Sequence, residues 1–229
     1  DYLNERIDRY NETVDPNENP STGTTNPSTL DEIYTNNRFY HHLNGSGRLF
    51  EQVMYNVSLS YQKQTKDLER YTYFIRSGEK LNTEEGEYQS RSAFFSRGTF
   101  SNIINTKKAN LQLGYELTNE KGSGSSVSID ISPGSDEVTQ KVDNYDFFAA
   151  SELQLLKNFS LRPGFRVSFS NLFDTQYIGS LSARQALGED WELRAVLGSA
   201  NRTPNYNELF TFFVDVNHDL QGNPDLNPE

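Results

Sequence analysis

Three oxygen-bearing side chains near the end of the chain have the spacing of cation ligands. They are Asp215, Asn217 and Asp219, at alternate positions. Carboxylate and amide oxygens bind Ca²⁺, but an EF-hand loop also needs glycine at its sixth position and an acid at its twelfth. Leu220 and Leu226 occupy those positions here. The segment is therefore expected to be a solvated acidic loop, and no metal site is predicted.

The other residue types that commonly do chemistry form no catalytic pattern. The only histidines are His41, His42 and His218, and none has the spacing of a zinc motif such as H-E-x-x-H. The chain has no cysteine, which excludes Cys-based zinc and redox sites. There is no G-x-S-x-G elbow for a nucleophilic serine. We expect a protein that is not an enzyme and that carries no cofactor.

Charge and hydropathy narrow the class of protein. The 229 residues carry a formal net charge of -11, which argues against nucleic-acid binding because that requires a basic surface. Mean hydropathy is -0.76, and no apolar run approaches the roughly 20 residues of a membrane helix. Membrane-spanning strands need only about 9–11 residues of alternating polarity, so a membrane location stays open.

Alternation of apolar and polar residues is the main structural signal. In the segment 159–170, Phe159, Leu161 and Phe165 lie on one side, and Ser160, Arg162 and Arg166 lie on the other. The pattern predicts an all-β, antiparallel, up-and-down sheet of about eight long strands, longer than the 5–6 residues usual in globular proteins. The predicted strands are 38–48, 53–63, 94–104, 108–118, 145–155, 159–170, 177–187 and 191–200.

The connections between these strands alternate in length. Residues 156–158 and 188–190 are predicted to be tight turns, whereas 119–144 and 201–229 are long and polar. Short turns at one end and long loops at the other are the layout of a bacterial outer-membrane barrel. This assigns 38–200 to barrel strands, with outer loops at 64–92 and 119–144, and 201–229 to a further outer loop. Residues 1–37 are predicted to be a polar loop or disordered.

Aromatic residues fall at two levels of the predicted strands. Phe159 and Trp191 directly follow tight turns, while Tyr145, Phe169 and Tyr177 lie near the opposite ends. Two such levels are typical of the aromatic girdles of a membrane barrel. A soluble β-sandwich with aromatic residues in its core also alternates, so that alternative stays open.

One residue interrupts the strand pattern. Pro163 lies in the middle of the segment 159–170 and removes a ladder hydrogen bond. Because the alternation continues unbroken through it, we expect a bulge or a local widening of the sheet at this point.

Two motifs lie in the last thirty residues, after the strand that ends near residue 200. Arg202, Pro204, Glu208 and Leu209 form R-x-P-x-x-x-E-L, and the residues of the second motif, G-N-P-x-L-x-P-E, are Gly222, Asn223, Pro224, Leu226, Pro228 and Glu229. Together they resemble a signature of TonB-dependent outer-membrane receptors, here of a Bacteroidetes-like kind. Proline and glycine explain themselves as turn geometry, so these motif residues are expected to be mostly structural.

The resemblance implies a fold and a function. Receptors of this family are barrels of about 22 strands with a plug in the lumen. This chain is interpreted as a fragment of such a barrel, without the plug and ending where the next strand would begin. The implied function is active uptake of a scarce nutrient of the siderophore, cobalamin, glycan or peptide class. The implied location is the outer membrane of a Gram-negative bacterium.

The resemblance also implies partners. They are outer-membrane lipid, an unknown small-molecule or oligomeric ligand, and TonB, reached through a plug domain that this chain lacks. The candidate ligand contacts are Tyr206, Phe210, Phe212 and Phe213 in the terminal loop, with packing of that loop on itself as the alternative. A non-transporting outer-membrane barrel and a soluble extracellular carbohydrate-binding β-sandwich are the alternative functions.

Overall fold

Nine strands form one sheet in which every strand lies beside its neighbours in the chain. The computed structural model describes residues 6–13, 28–124, 139–214 and 219–229. The strands are β1 Arg6–Thr13, β2 Ser28–Leu49, β3 Val53–Phe74, β4 Glu79–Asn105, β5 Ala109–Gly124, β6 Thr139–Leu156, β7 Phe159–Ser170, β8 Gln176–Ala186 and β9 Glu192–Gly198. A short helix, α1 Tyr206–Phe210, and a small hairpin, β10 Phe212–Val214 with β11 Asp219–Gln221, follow.

The fold class predicted from the alternation is confirmed. The pairings of β1 with β2, of β6 with β7, of β7 with β8 and of β8 with β9 are antiparallel. The sheet has one strand more than the roughly eight predicted from period-2 patterning, because β1 was assigned to a polar loop. In the described sheet, β1 and β9 are the edge strands. None of the described helices has the length and apolar character needed to cross a membrane.

The chain divides into two compact units. The first unit comprises Asp1–Tyr40, Gln62–Ser92 and Gly122–Thr139. The second unit comprises His41–Tyr61, Ala93–Lys121 and Gln140–Glu229.

Strands replace the predicted loops in the first unit. The segment 28–37 belongs to β2. The segment 64–92 contains the end of β3, a turn at 75–78 and the first part of β4. Gly78 has φ +69°, a value that favours glycine in such a turn. Of the predicted loop 119–144, the ends are strand, and residues 125–138 lie outside the described residues. Residues 1–5 and 14–27 of the predicted loop 1–37 also lie outside them.

Cross-strand polar and aromatic contacts explain these strands. The guanidinium of Arg70 lies 2.7 Å from the carboxylate of Glu32. The ammonium of Lys80 lies 3.8 Å from the centre of the Tyr71 ring, whose residue is buried. Such pairs stabilise a sheet without a continuous apolar face. Period-2 alternation does not predict these strands, because it reveals only strands that have one apolar face.

The second unit has one apolar face that is exposed along strands β6 to β9. Their register places Tyr145 opposite Phe169 and Phe165 opposite Gly179, and the rings of Phe165 and Tyr177 stack with centroids 6.3 Å apart. On the edge strand, Leu197 is 78% exposed. A continuous row of exposed large apolar side chains on a sheet whose other face is polar is the pattern of strands that face lipid.

Pro163 does not produce a bulge. On the β6 side, Ala150 lies opposite Gly164 and Leu153 opposite Leu161, so the register is the same before and after the proline. On the β8 side, Pro163 lies opposite Leu181 in an uninterrupted ladder. The irregularity of this hairpin lies instead between Gln154 and Leu156, beside the tight turn. The ladder with β6 lacks the pairs of Pro163 and Arg162, and the alternation is intact on both sides of them.

A glycine covered by an aromatic ring leads to a first prediction. A Cβ atom on Gly114 would lie 2.2 Å from the Phe148 ring and 2.8 Å from the backbone oxygen of Gly98. Replacement of Gly114 by alanine must therefore displace the ring or the strand, at a cost of about 1–3 kcal/mol for overpacking. We expect a lower midpoint of urea unfolding for Gly114→Ala in the intact receptor in detergent micelles.

The matched control is Gly179→Ala. Nothing lies within 4 Å of a Cβ atom at Gly179, which is also a strand glycine of the second unit. Its unfolding midpoint should stay the same or rise slightly, because alanine restricts the unfolded chain more than glycine. Equal midpoints for both variants would show that the Phe148 contact does not constrain the sheet.

Candidate functional site

The first motif of the terminal loop, residues 201–229, is built around a capped helix. Asn205 is the N-cap of α1, and its side-chain oxygen accepts hydrogen bonds from the N–H groups of Asn207 at 2.9 Å and Glu208 at 3.1 Å. The carboxylate of Glu208 accepts in return from the N–H of Asn205 at 2.9 Å. This reciprocal capping box satisfies the N–H groups that the first turn of a helix leaves without partners.

Glu208 also binds the first residue of the motif. Its second carboxylate oxygen accepts a hydrogen bond from the guanidinium of Arg202. The pKa of Glu208 is lowered from its ordinary value of 4.5, first by the backbone N–H of Asn205 and then by Arg202. The hydrogen bond to Glu208 correspondingly raises the pKa of Arg202. One carboxylate thus joins the start of the loop to its helix.

The second motif folds back onto the end of that helix. The N–H of Gly222 donates to the carbonyl of Thr211 at 2.5 Å, and the N–H of Asn223 donates to the carbonyl of Glu208 at 2.8 Å. A Cβ atom at Gly222 would lie 2.7 Å from the backbone of Leu209. Only glycine permits this approach of two backbones.

The two ends of the loop are joined by a reciprocal pair of backbone hydrogen bonds. The N–H of Arg202 donates to the carbonyl of Glu229 at 3.1 Å, and the N–H of Glu229 donates to the carbonyl of Arg202 at 3.0 Å. This is the pattern of a hydrogen-bonded pair in an antiparallel ladder. The two motifs, which lie apart in the sequence, are therefore in direct contact. This contact is made by backbone groups, in line with the expectation that the motif residues are mostly structural.

A small apolar cluster holds the loop against the sheet. Leu209, Tyr206 and Val142 are buried, and Phe173 and Phe210 pack against them. Val142 lies near the start of β6, and Phe173 lies in the connection between β7 and β8. Leu209 is 1% exposed, so this motif residue is a packing residue.

A single asparagine fixes the platform beneath this cluster. The side chain of Asn171 donates to the carbonyl of Lys141 at 3.0 Å and accepts from the N–H of Asp143 at 2.7 Å. These two bonds tie the β7–β8 connection to β6 on either side of Val142. Two hydrogen bonds therefore hold this connection to β6 where the loop packs on it.

The predicted ligand contacts separate into two groups. Tyr206 is 4% exposed and its ring packs edge-on against Phe210 at a centroid distance of 5.4 Å. Phe210 is half-buried. Phe212 and Phe213 lie in β10, and their side chains are outside the described part of the structure. For Tyr206 the geometry favours packing of the loop over contact with a ligand.

A polar pocket of about 230 Å³ lies between the start of the terminal loop and the polar face of β6 to β8. Arg202 and Thr203 line it from the loop, and Asp146, Arg166 and Gln176 line it from the sheet. Concave sites with a few convergent polar groups are the usual places for small ligands. Among the described residues, no group of three or more His, Cys, Asp or Glu side chains could hold a metal ion. The pocket is therefore the candidate functional site of this chain.

An ion-pair network shapes the floor of the pocket. The guanidinium of Arg166 lies 2.9 Å from the carboxylate of Asp146 and 3.3 Å from that of Glu116. These residues lie on three consecutive strands, β7, β6 and β5. The alternation predicts that Arg166 lies on a polar face, but it does not predict its pairing with Glu116 and Asp146, because the register between strands does not follow from alternation.

The comparison with protein families decides the identity of this sheet. All residues from 1 to 229 match the family described as TonB dependent receptor-like, beta-barrel. The chain belongs to this family. The prediction from the two terminal motifs is thereby confirmed at the level of the family, and the TonB-dependent receptors are receptors and transporters of the outer membrane rather than enzymes. The comparisons do not address the expectation of a Bacteroidetes-like member.

One solved structure shows the same barrel fold, and two further receptor structures match with lower scores. The siderophore receptor PirA from Pseudomonas aeruginosa matches with a TM-score of 0.52 at 14% identity, over 90% of this chain and 44% of that chain. PirA from Acinetobacter baumannii matches with a TM-score of 0.48 at 13% identity, over 96% and 42% of the two chains. A mutant of the ferric enterobactin receptor PfeA from Pseudomonas aeruginosa matches with a TM-score of 0.45 at 14% identity, over 81% and 35%.

The extent of these matches bears on what the chain can do. It spans less than half the length of each of these receptors. Comparison with curated proteins finds no significant match. The family match and the structure of PirA from Pseudomonas aeruginosa show the fold of this chain. Its ligand class is inferred from the residues of the pocket.

The close backbone contact at Gly222 gives a prediction for the terminal loop. In Gly222→Ala, the added methyl group must push the second motif away from α1 and weaken the bonds to Thr211 and Glu208. We expect faster hydrogen–deuterium exchange at Gly222 and Asn223 in the intact receptor. Gly86→Ala is the control, because nothing lies within 4 Å of its Cβ position. Unchanged exchange in the loop of Gly222→Ala would contradict the contact.

The lowered pKa of Glu208 gives a prediction for pH. A carboxylate with a lowered pKa stabilises the folded loop while it is ionised, so this contribution is complete well above pH 4.5 and is lost as pH falls through the lowered pKa. We expect exchange protection at Asn205, corrected for the intrinsic rate, to fall at pH values below 4.5. Glu208→Gln should lose this pH dependence. The same acid-induced loss in that variant would exclude Glu208 as its source.

Proposed function

We propose that this chain forms part of the wall of a TonB-dependent receptor that takes up a scarce nutrient actively across the outer membrane of a Gram-negative bacterium. The proposed ligand is of the siderophore, cobalamin, glycan or peptide class. It is recognised from outside, and energy reaches the receptor from TonB through a plug domain in the lumen. The single observation that supports this most is a sheet with one exposed apolar face and, on its other face, a polar pocket closed by a docked loop.

The exposed apolar face argues against the soluble β-sandwich. In a sandwich, the apolar faces of two sheets pack against each other. Here Trp191 is 76% exposed and Leu197 is 78% exposed. Removal of such side chains from water is favourable by about 25 cal/mol per Å² of apolar surface. In a barrel, lipid covers this surface. The same face supports outer-membrane lipid as a partner.

A non-transporting outer-membrane barrel would have the same exposed apolar face but would not need energy from TonB. The docked loop and the pocket support a receptor, because a barrel with only a structural role has no use for a concave polar site. Dependence of uptake on TonB therefore separates the two functions.

The absence of cysteine permits a direct test of orientation. Asp225 is exposed in the terminal loop, and Asn158 is exposed in the tight turn between β6 and β7. In intact cells, a membrane-impermeant maleimide should label Asp225→Cys of the complete receptor and leave Asn158→Cys unlabelled. Asn158→Cys should react once the outer membrane is permeabilised, and the receptor without these substitutions gives the background. Equal labelling of both positions in intact cells would contradict the orientation.

Uptake itself is tested with one probe from each ligand class. The probes are labelled ferric enterobactin, cyanocobalamin, a neutral maltooligosaccharide and a tripeptide. We expect cells with the complete receptor to accumulate one of them, and deletion of either the receptor gene or tonB to abolish that accumulation. Glucose uptake through porins serves as the control. Accumulation that persists without TonB would favour the non-transporting barrel, and accumulation of none of the probes would contradict the proposed range of ligands.

A further inference from the structure

The pocket on β6 to β8 is not an anion site, although two arginines line it. Arg166 lies between the carboxylates of Asp146 and Glu116, and Arg202 is bound to Glu208. Asp174 lines the pocket too, and within the described residues it forms no ion pair. Two arginines therefore face four carboxylates, a formal charge of -2 for the pocket and its direct partners.

This balance acts against anionic ligands. Carboxylates balance both guanidinium charges, although the Nε of Arg166 has no hydrogen-bond partner among the described residues, and an approaching negative charge also meets the carboxylate of Asp174. The charge of the whole chain, -11, has the same sign. Salt screens such repulsion over about 8–10 Å, but groups that line one pocket lie within that range.

Four of the remaining polar side chains of the pocket are uncharged and available. Asn144, Gln176, Ser168 and Thr203 line it, and no hydrogen bond of their side chains to another described residue is present. Amides and hydroxyls each offer both a donor and an acceptor. A ligand with many hydroxyl groups, which are themselves donors and acceptors, can satisfy all four at once.

The walls and the size of the pocket fit one part of a longer molecule. Ile178 adds apolar surface to the polar lining, which suits a ligand with alternating C–H and O–H groups. The volume of about 230 Å³ is below the roughly 300–1,000 Å³ of typical ligand pockets. The pocket is therefore suited to one unit of a chain-like ligand.

We propose that this pocket binds one unit of an uncharged, hydroxyl-rich ligand of the neutral oligosaccharide type, and that it disfavours polyanions such as acidic sugars and anionic iron chelates. The proposal rests on the proposed function, because it names the ligand class of the same receptor. Asn144 and Gln176 supply hydrogen bonds to ligand hydroxyls, and Asp174 repels anionic competitors.

The test is binding of the complete, detergent-purified receptor to an array of neutral oligosaccharides and acidic oligosaccharides that carry uronate, sialate or sulfate groups. We expect binding to neutral members. In Asn144→Leu and Gln176→Leu, affinity for those members should fall by about two- to tenfold each, the loss of one hydrogen bond. Gln62→Leu is the matched control, an exposed glutamine on β3 that does not line the pocket, and its binding should be unchanged.

Asp174→Asn tests the charge argument separately. Removal of this carboxylate should raise the affinity for acidic members relative to the affinity for neutral members. Binding to acidic members alone, binding to no member, or unchanged affinity in both pocket variants would overturn the proposal. These outcomes are distinct from failure of the proposed function, which would appear as uptake without TonB or as labelling of the wrong side of the membrane, whatever the array shows.

Discussion

The two-residue period of strands β6 to β9 is the constraint on which the rest of the structure depends. Because successive side chains point to opposite faces, a shift of one residue in any pairing would exchange the exposed apolar row for the pocket-lining row. Strand pairs keep the same register over their length, and even Pro163 leaves it unchanged. The single irregularity of the β6–β7 hairpin lies beside its turn, where few residues follow it. The polar pocket exists because this period is kept without error.

The terminal loop adds a second level of organisation to that sheet. Glu208 satisfies the start of α1 and holds Arg202, while Gly222 lets the second motif lie against the end of the same helix. Leu209 then fixes the assembly to β6. Gly222 and Asn223 of the second motif donate to Thr211 and Glu208, and Glu229 pairs with Arg202, so the second motif is held against the first. The loop places Arg202 and Thr203 over the polar face and thereby turns an open sheet surface into a concave site.

The sequence predicts the second unit far better than the first. The predicted strand 159–170 coincides with β7, and 177–187 differs from β8 by one residue at each end, because one apolar face and tight turns define those elements. The strands at 28–37 and 64–92 escape prediction because pairs such as Arg70 with Glu32 stabilise them without an apolar row. No periodicity reveals a charge pair whose members lie on different strands.

The candidate site shows the same division. The capping box of Asn205 and Glu208 corresponds to N-x-x-E in the sequence, so this part of the site could have been predicted. The Arg166 network requires the register of three strands, and the pocket requires the docked loop, so neither follows from composition or spacing. Tertiary packing decides where these polar groups meet.

The reciprocal hydrogen bonds between Arg202 and Glu229 have a consequence for how such a receptor diversifies. They fasten the base of the loop, and the bonds of Gly222 and Asn223 fasten it again around α1. The hairpin of β10 and β11 therefore lies beyond two sets of backbone hydrogen bonds that hold the loop. The entropic cost of closing a longer loop grows only slowly with its length. New sequences can be accommodated in that hairpin without disturbing the sheet below. The geometry separates a tip that tolerates insertion from a base held by hydrogen bonds, as in antibody loops on a different scaffold.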